Sequence, residues 1–154
     1  MIGLHFFNPA PVMPLVEIVT TGSTGQPALA RAVAVTDALG KDHVRCGDRA
    51  GFIVNRLLVP YLNDALETVA QGCPPGDLDA VMTSAHGFGM GPLRLVDLIG
   101  TDVVLAIATS LREAFDEPGL DPSPLLVACV REQVLGAKNG TSVRDLIGAS
   151  SWSS

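Results

Sequence analysis

The chain has 154 residues, of which 47% are hydrophobic and 17% are charged, and its net charge is −6. This size and composition suit one ordinary domain or two small lobes that share a core, and they exclude an intrinsically disordered chain. The sequence shows no basic stripe, no leader and no long uncharged apolar run. We therefore expect no nucleic-acid partner, no membrane span and a cytoplasmic location.

The cysteines Cys46, Cys73 and Cys129 are scattered singly, without the spacing of metal ligands or of a redox pair. We therefore expect no metal site. Since free cysteine is usually buried, the three are predicted to be small buried hydrophobic residues in a reducing compartment.

The first fifty residues predict a small α/β unit. Apolar and β-branched runs predict strands over residues 1–7, 15–20 and 43–46, and a helix is predicted over residues 28–39. The segment 8–14 (NPAPVMP) is rich in proline and predicts an extended or turning connection. Two or three strands and one helix make a poor domain alone. The unit is therefore predicted to be the tail of an α/β sheet whose earlier strands are absent.

From Gly51 onward the sequence predicts helices only. The predicted helices span residues 52–71, 76–85, 93–99, 101–115 and 124–135. Pro60 interrupts the longest of them and is expected to bend it, and Ser123 is expected to cap the last one. The fold class is therefore predicted to be mainly α, with a small α/β segment in front.

The core of the helical part is predicted from apolar positions at helical spacing. On the longest helix, an apolar stripe lies opposite a polar face that includes Asn63, Glu67 and Gln71. The residues expected to be buried are Leu57, Leu58, Leu62, Leu66, Val81, Leu93, Leu98, Val104, Ile107, Leu111, Leu126 and Val130.

Three polar side chains stand out because their surroundings are apolar. His5 lies at the carboxyl end of the first predicted strand, Glu17 within the second, and Asn55 near the start of the long helix. A buried carboxylate is costly without a partner, so we predict that Glu17 pairs with His5. In such a pair the carboxylate fixes one imidazole nitrogen and leaves the other free to take a proton. Because ligands of open α/β sheets bind beyond the carboxyl ends of strands, His5 is predicted to border a ligand site.

Each of these residues also fits a purely structural role. A lone histidine on an apolar strand is more often a satisfied core residue, and a glutamate that points outward from an edge strand needs no partner. Asparagine is a common helix cap. The residues alone therefore leave a structural interpretation open beside that of an acid/base pair with a hydrogen-bonding asparagine.

Three ordered blocks of the sequence resemble the 3-hydroxyacyl-CoA dehydrogenase family. The block GLHFFNPAPVMPLVEIV resembles the segment that carries the catalytic histidine and glutamate of that family. GDRAGFIVNRLL resembles the start of its helical domain, and MGPLRLVDLIGTD resembles a third block. The resemblance covers about residues 2–140 and implies a helical C-terminal dehydrogenase domain, preceded by a small α/β remnant of a Rossmann-type sheet. It implies a dinucleotide-binding remnant over residues 1–49, a helical substrate-binding and dimerisation domain over 50–140, and a divergent tail over 141–154.

The resemblance also implies an activity. It implies an NAD-dependent enzyme of fatty-acid metabolism (β-oxidation) that oxidises the 3-hydroxyl of an acyl-CoA, such as 3-hydroxybutyryl-CoA, to a ketone. His5 would act as the general base, and Glu17 would hold the imidazole and offset its charge. Asn55 would bind the substrate near the reacting oxygen or the thioester. The implied cofactor is NAD, the implied substrate is an acyl-CoA, and the implied partner is a second copy that forms a homodimer through the helical domain.

Several features depart from the family pattern. The Gly-rich dinucleotide fingerprint and the catalytic serine have no counterpart here, and GFGMG at residues 87–91 follows a helix rather than a strand. Pro14 stands where the family usually has lysine, and the tail replaces an aromatic-rich ending. We therefore expect a truncated, split or frameshifted product, or an experimental fragment, that is weakly active or inactive alone. The alternative is a non-catalytic helical module that dimerises, or docks onto a chain supplying the nucleotide-binding half.

Overall fold

A computed structural model describes residues 1–148, apart from the side chain of His86. Helices form most of the described chain, and a small sheet lies at its amino-terminal end. The predicted fold class is therefore confirmed. The chain divides into two compact units, one of residues Met1–Asn55 and one that starts at Arg56. No helix among the described residues is long and apolar enough to cross a bilayer.

The first unit contains a three-stranded sheet and one helix. Its elements are β1 (Ile2–Phe6), β2 (Leu15–Thr20), α1 (Gln26–Ala38) and β3 (Asp42–Gly47). Strand β2 lies in the middle, antiparallel to β1 and parallel to β3. Residues 16–20 of β2 are buried, as expected for a central strand with apolar and β-branched residues. All four predicted elements are confirmed, with ends that differ by one or two residues.

The second unit consists of helices, the first of which begins in the preceding unit. The helices are α2 (Val54–Ala70), α3 (Pro75–His86), α4 (Pro92–Ile99), α5 (Thr101–Phe115), α6 (Pro124–Arg131) and α7 (Val143–Gly148), with short 3₁₀ helices at Pro118–Leu120 and Ala137–Asn139. The last predicted helix ends at Arg131 rather than at residue 135, and Gln133 beyond it has a φ of 58°. Helix α7 and the two 3₁₀ helices were not predicted. Ser123 caps α6 as predicted, with its side chain accepting a hydrogen bond from the Leu125 amide.

The core prediction is correct for half of its residues. The six buried ones are Leu62, Leu66, Leu93, Val104, Leu111 and Leu126, and the three half-buried ones are Leu58, Ile107 and Val130. The prediction is wrong for Leu57, Val81 and Leu98, which are 70%, 55% and 61% exposed. Each of these lies two positions from a buried residue of its own helix, and two positions rotate a side chain by about 200°.

Asn63 was predicted to lie on the polar face of the long helix, and this is also wrong. Its side chain is buried, donates to the Asp121 carbonyl at 3.0 Å and accepts from the Ser123 amide at 2.7 Å. An asparagine amide has both a donor and an acceptor, so it satisfies two backbone groups of the segment before α6 at once.

The three cysteines are free, as expected from their spacing. Cys46 and Cys129 are buried, whereas Cys73 is partly exposed and corrects the expectation for that residue. Burial raises the pKa of the Cys129 thiol to about 12. It therefore stays protonated at neutral pH and has the character of a core residue.

Candidate active site

Strand pairing places the two predicted site residues directly opposite each other. In the antiparallel register of β1 and β2, His5 is the partner of Glu17. Side chains of directly paired residues lie on the same face of a sheet, so this register brings imidazole and carboxylate together. The Glu17 side chain is fully buried, whereas the His5 side chain remains 29% exposed.

The contact between them is a hydrogen bond from imidazole to carboxylate. His5 Nδ1 lies 2.8 Å from Glu17 Oε2. A carboxylate acceptor at this distance assigns the proton of the neutral ring to Nδ1, which leaves Nε2 as the nitrogen that accepts a proton. Glu17 therefore does not point outward from an edge strand, because its side chain is buried on the central strand. The predicted pair is present, and its acid/base role stays a prediction.

The second carboxylate oxygen of Glu17 caps a helix. Glu17 Oε1 accepts from the backbone amides of Ile53 and Val54, both at 2.9 Å, at the start of α2. These amides have no acceptor within their own helix, and the positive end of the helix dipole favours the negative charge. Three hydrogen bonds therefore hold the buried carboxylate in one position.

Asn55 is not part of this contact. It lies half-buried inside α2, after the residues whose amides Glu17 caps. Among residues 1–148, no hydrogen bond joins the Asn55 side chain to His5 or Glu17. The structure thus brings together two of the three predicted site residues, and the role of Asn55 as a substrate ligand stays a prediction.

Two aromatic rings that the sequence did not single out flank the imidazole. The Phe7 ring lies edge-on to His5 with centroids 4.8 Å apart, and the Phe52 ring is tilted at 5.3 Å. One feature of the sequence concerns the start of α2: the residues just before the helix, Gly51, Phe52 and Ile53, have no polar side chain that could cap it. Asn55, considered as a possible cap, lies inside α2, and the cap comes from Glu17 instead.

His5 borders an open groove of about 320 Å³. The groove is lined by Met1, Ile2, Gly3, Leu4, His5, Val19, Thr21, Asp48 and Phe52. Most of this lining is apolar, which suits a carbon chain or an uncharged ring, and it contains no lysine or arginine. The imidazole therefore lies beside a space that a small molecule can enter.

The Gly-rich run 87–91 does not fit the phosphates of a dinucleotide. The Gly-rich run 87–91 leads into α4, but there Asp79 Oδ1 already accepts from the Leu93 amide at 2.9 Å. A Cβ built on Gly91 would lie 2.3 Å from the same carboxylate. Because a carboxylate already occupies this helix start, the run does not cradle a phosphate. Within residues 1–148, no cluster of three His, Cys, Asp or Glu residues is placed to hold a metal ion.

Family models match nearly the whole described chain. Residues 51–146 match the model of the C-terminal domain of 3-hydroxyacyl-CoA dehydrogenase, and residues 1–49 match that of the NAD binding domain of the same family. The resemblance drawn from the sequence is thereby confirmed, and so is NAD as the cofactor of the family.

Individual relatives agree with these models. A 3-hydroxybutyryl-CoA dehydrogenase of Mycobacterium tuberculosis is 47% identical over 142 residues, which are 91% of this chain and 50% of that protein. Human mitochondrial hydroxyacyl-coenzyme A dehydrogenase is 44% identical over 140 residues, or 90% of this chain and 45% of that protein. The crystal structure of M. tuberculosis FadB2 matches with a TM-score of 0.89 at 46% identity, covering 92% of this chain and 50% of that one. The chain therefore spans about half the length of the curated relatives it matches.

Proposed function

Because the chain belongs to the 3-hydroxyacyl-CoA dehydrogenase family, we propose that it is the part of such an enzyme that exchanges a proton with the 3-hydroxyl of an acyl-CoA. The observation that carries this proposal is the His5–Glu17 hydrogen bond beside an open groove. A histidine oriented by a carboxylate, with its second nitrogen free, is the arrangement that general acid/base catalysis requires.

The chemistry of the two residues follows from their geometry. In the oxidation, the free Nε2 of His5 takes the hydroxyl proton as the carbon becomes a ketone, and in the reduction it returns that proton. Glu17 keeps the ring in place and offsets the positive charge of the protonated imidazole. The oxidation also removes a hydride from the same carbon, and the Gly-rich run 87–91 is not placed to hold the phosphates of a dinucleotide acceptor.

The substrate is proposed to be a short 3-hydroxyacyl-CoA such as 3-hydroxybutyryl-CoA, in fatty-acid β-oxidation. The apolar lining of the groove supports an acyl group, and the name of the M. tuberculosis relative supports the short chain. Asn55 is proposed to bind near the reacting oxygen or the thioester. We further propose a dinucleotide-binding remnant over residues 1–49, a helical domain over 50–140 that forms a homodimer, and a divergent tail over 141–154, in a cytoplasmic protein.

A second candidate function is that of a docking module without activity of its own. It is favoured by the outer edge of β1, which pairs with no strand among residues 1–148. Unpaired backbone groups at a sheet edge are a template for a strand from another chain. In this case the chain would complete a partner that binds the nucleotide.

The two candidates are separated by an activity assay. The purified chain is mixed with NADH and acetoacetyl-CoA, alone and after fusion to the half of the M. tuberculosis relative that it does not match. We expect little or no turnover from the chain alone and clear turnover from the fusion. In the fusion, His5→Ala should lower kcat by about 10² to 10⁴, the usual size of a general acid/base contribution.

His43→Ala is the matched control, since His43 also lies near a carboxylate, Asp37 at 3.4 Å, but on the exposed strand β3. This variant should keep the activity of the parent fusion. Turnover that survives His5→Ala would reject the proposed role of the pair. A fusion that stays inactive while the chain still binds the other half would favour the docking module.

A further inference from the structure

Phe52, whose ring lies beside His5, has an unusual backbone conformation. Phe52 has a φ of 45°, in the left-handed region that residues with a Cβ rarely adopt unless they are Asn or Asp. A bulky residue stays in this region only where its surroundings hold it there, and such positions cluster at functional sites. Phe52 is half-buried and lines the groove beside the imidazole.

The contacts around Phe52 explain why this conformation is kept. Its amide donates to the Arg49 carbonyl at 3.0 Å and so closes a tight turn. The next two amides, those of Ile53 and Val54, are the ones that donate to Glu17. A glycine would allow the same turn with less strain, but it has no ring to place against His5. Only an aromatic residue in the left-handed conformation meets both requirements.

We propose that Phe52 is a positioning residue of the acid/base pair. Its ring confines the plane of the imidazole, and its left-handed backbone aims two amides at Glu17. Together these contacts keep the His5 proton on Nδ1 and present Nε2 to the groove. The role of Phe52 in catalysis rests on the proposed function. The tautomer of His5, however, can be measured without substrate.

The experiment is nitrogen NMR of the histidine rings in the 15N-labelled 154-residue chain, recorded while the imidazole is neutral. The parent chain should show His5 in one tautomer, with the proton on Nδ1. Phe52→Ala and Phe52→Gly should lose this single state and show a mixture of both tautomers, because without the ring the imidazole can turn out of its hydrogen bond with Glu17. Phe52→Tyr, which keeps the ring, should restore the parent signal. Phe52→Gly should melt at a higher temperature than Phe52→Ala, because glycine relieves the left-handed strain.

Two controls accompany the variants. His43 gives an internal reference in each spectrum, and Phe88→Ala removes an aromatic ring that packs against Tyr61. An unchanged Nδ1–H tautomer in both Phe52→Ala and Phe52→Gly would overturn the proposal. If Phe52→Ala does not fold, Phe52→Gly and Phe52→Tyr decide the question. Failure of the proposed function would appear separately, as activity that does not depend on His5.

Discussion

Two buried carboxylates in this chain perform the same structural task in different regions. Glu17, in the first unit, caps the start of α2 with one oxygen. Asp79, on α3 in the second unit, caps the start of α4 with one oxygen. They differ in what the other oxygen holds, because Glu17 binds the imidazole of His5 whereas Asp79 binds the guanidinium of Arg144.

This difference separates the candidate acid/base site, His5 with Glu17, from a purely structural contact, Asp79 with Arg144, which we call the structural clamp. An arginine side chain remains protonated in proteins, so the Asp79–Arg144 contact has a single charge state. An imidazole can take up and release a proton, so in the proposed reaction the contact of Glu17 would change its charge. Both carboxylates are buried where each caps the start of a helix. They differ in the side chain that the other oxygen binds.

The largest expected effect is on the rate. In the active fusion, Glu17→Gln should lower kcat by about a hundredfold, because a neutral amide does not offset the charge of the protonated imidazole. Asp79→Asn makes the same chemical change at the structural clamp and should leave kcat close to that of the parent. Steady-state oxidation of NADH with acetoacetyl-CoA measures both. Equal losses of kcat in the two variants would remove the distinction between the two regions.

The next effect is on stability. Asp79→Ala should lower the free energy of unfolding by about 2–3 kcal/mol, because a helix cap is lost and a buried amide is left without an acceptor. Arg144→Met should cost about 1 kcal/mol or less, because the arginine side chain is 46% exposed and water screens its charge. Urea unfolding of the 154-residue chain gives both values. If Arg144→Met lowered the free energy of unfolding more than Asp79→Ala, the ion pair rather than the helix cap would be the stabilising contact.

A smaller loss of stability is expected at Gly91. The Cβ of alanine would lie 2.3 Å from Asp79 Oδ1, so the carboxylate has to move and its cap on α4 weakens. We expect Gly91→Ala to cost about 1–2 kcal/mol of unfolding free energy, within the range of overpacked sites. Gly89→Ala is the matched control, because a Cβ at Gly89 meets no atom within 4 Å. Equal unfolding midpoints for the two variants would place the Asp79 carboxylate elsewhere.

The smallest expected effect is on Tyr61, the single tyrosine of the chain. Burial, and to a lesser extent the charge of Asp79, raises the pKa of its hydroxyl above 10. Asp79→Asn should therefore lower this pKa slightly, yet leave it above the ordinary value because burial is the larger cause. Because its pKa is higher in the folded chain, Tyr61 holds its proton more tightly there than in the unfolded chain. Its contribution to the free energy of unfolding is therefore complete below pH 10 and is lost as the pH rises through the folded pKa. Tyrosinate absorbance against pH measures the shift, and an unchanged midpoint would exclude the influence of Asp79.

Local patterns in the sequence were sufficient for most of the elements and for the contact between His5 and Glu17. Alternation in β2 and the apolar surroundings of His5 and Glu17 predicted that the two residues meet. The cap on α2 was missed because Glu17 lies 36 positions before the amide of Ile53, and capping rules consider adjacent residues. Asn63 was misplaced for the same reason, because its partners lie about sixty positions away in the chain. Periodicity indicates an apolar stripe, but distant contacts decide which face is buried.

The most direct test of the central claim is a double-mutant cycle on kcat in the fusion, with His5→Ala, Glu17→Gln and both changes together. If Glu17 acts through the imidazole, the double variant should be no slower than His5→Ala alone. Losses that multiply, with the double variant about a hundredfold slower than His5→Ala, would show that the two side chains act independently. That result would contradict the account of Glu17 as the residue that holds the proton-transferring imidazole.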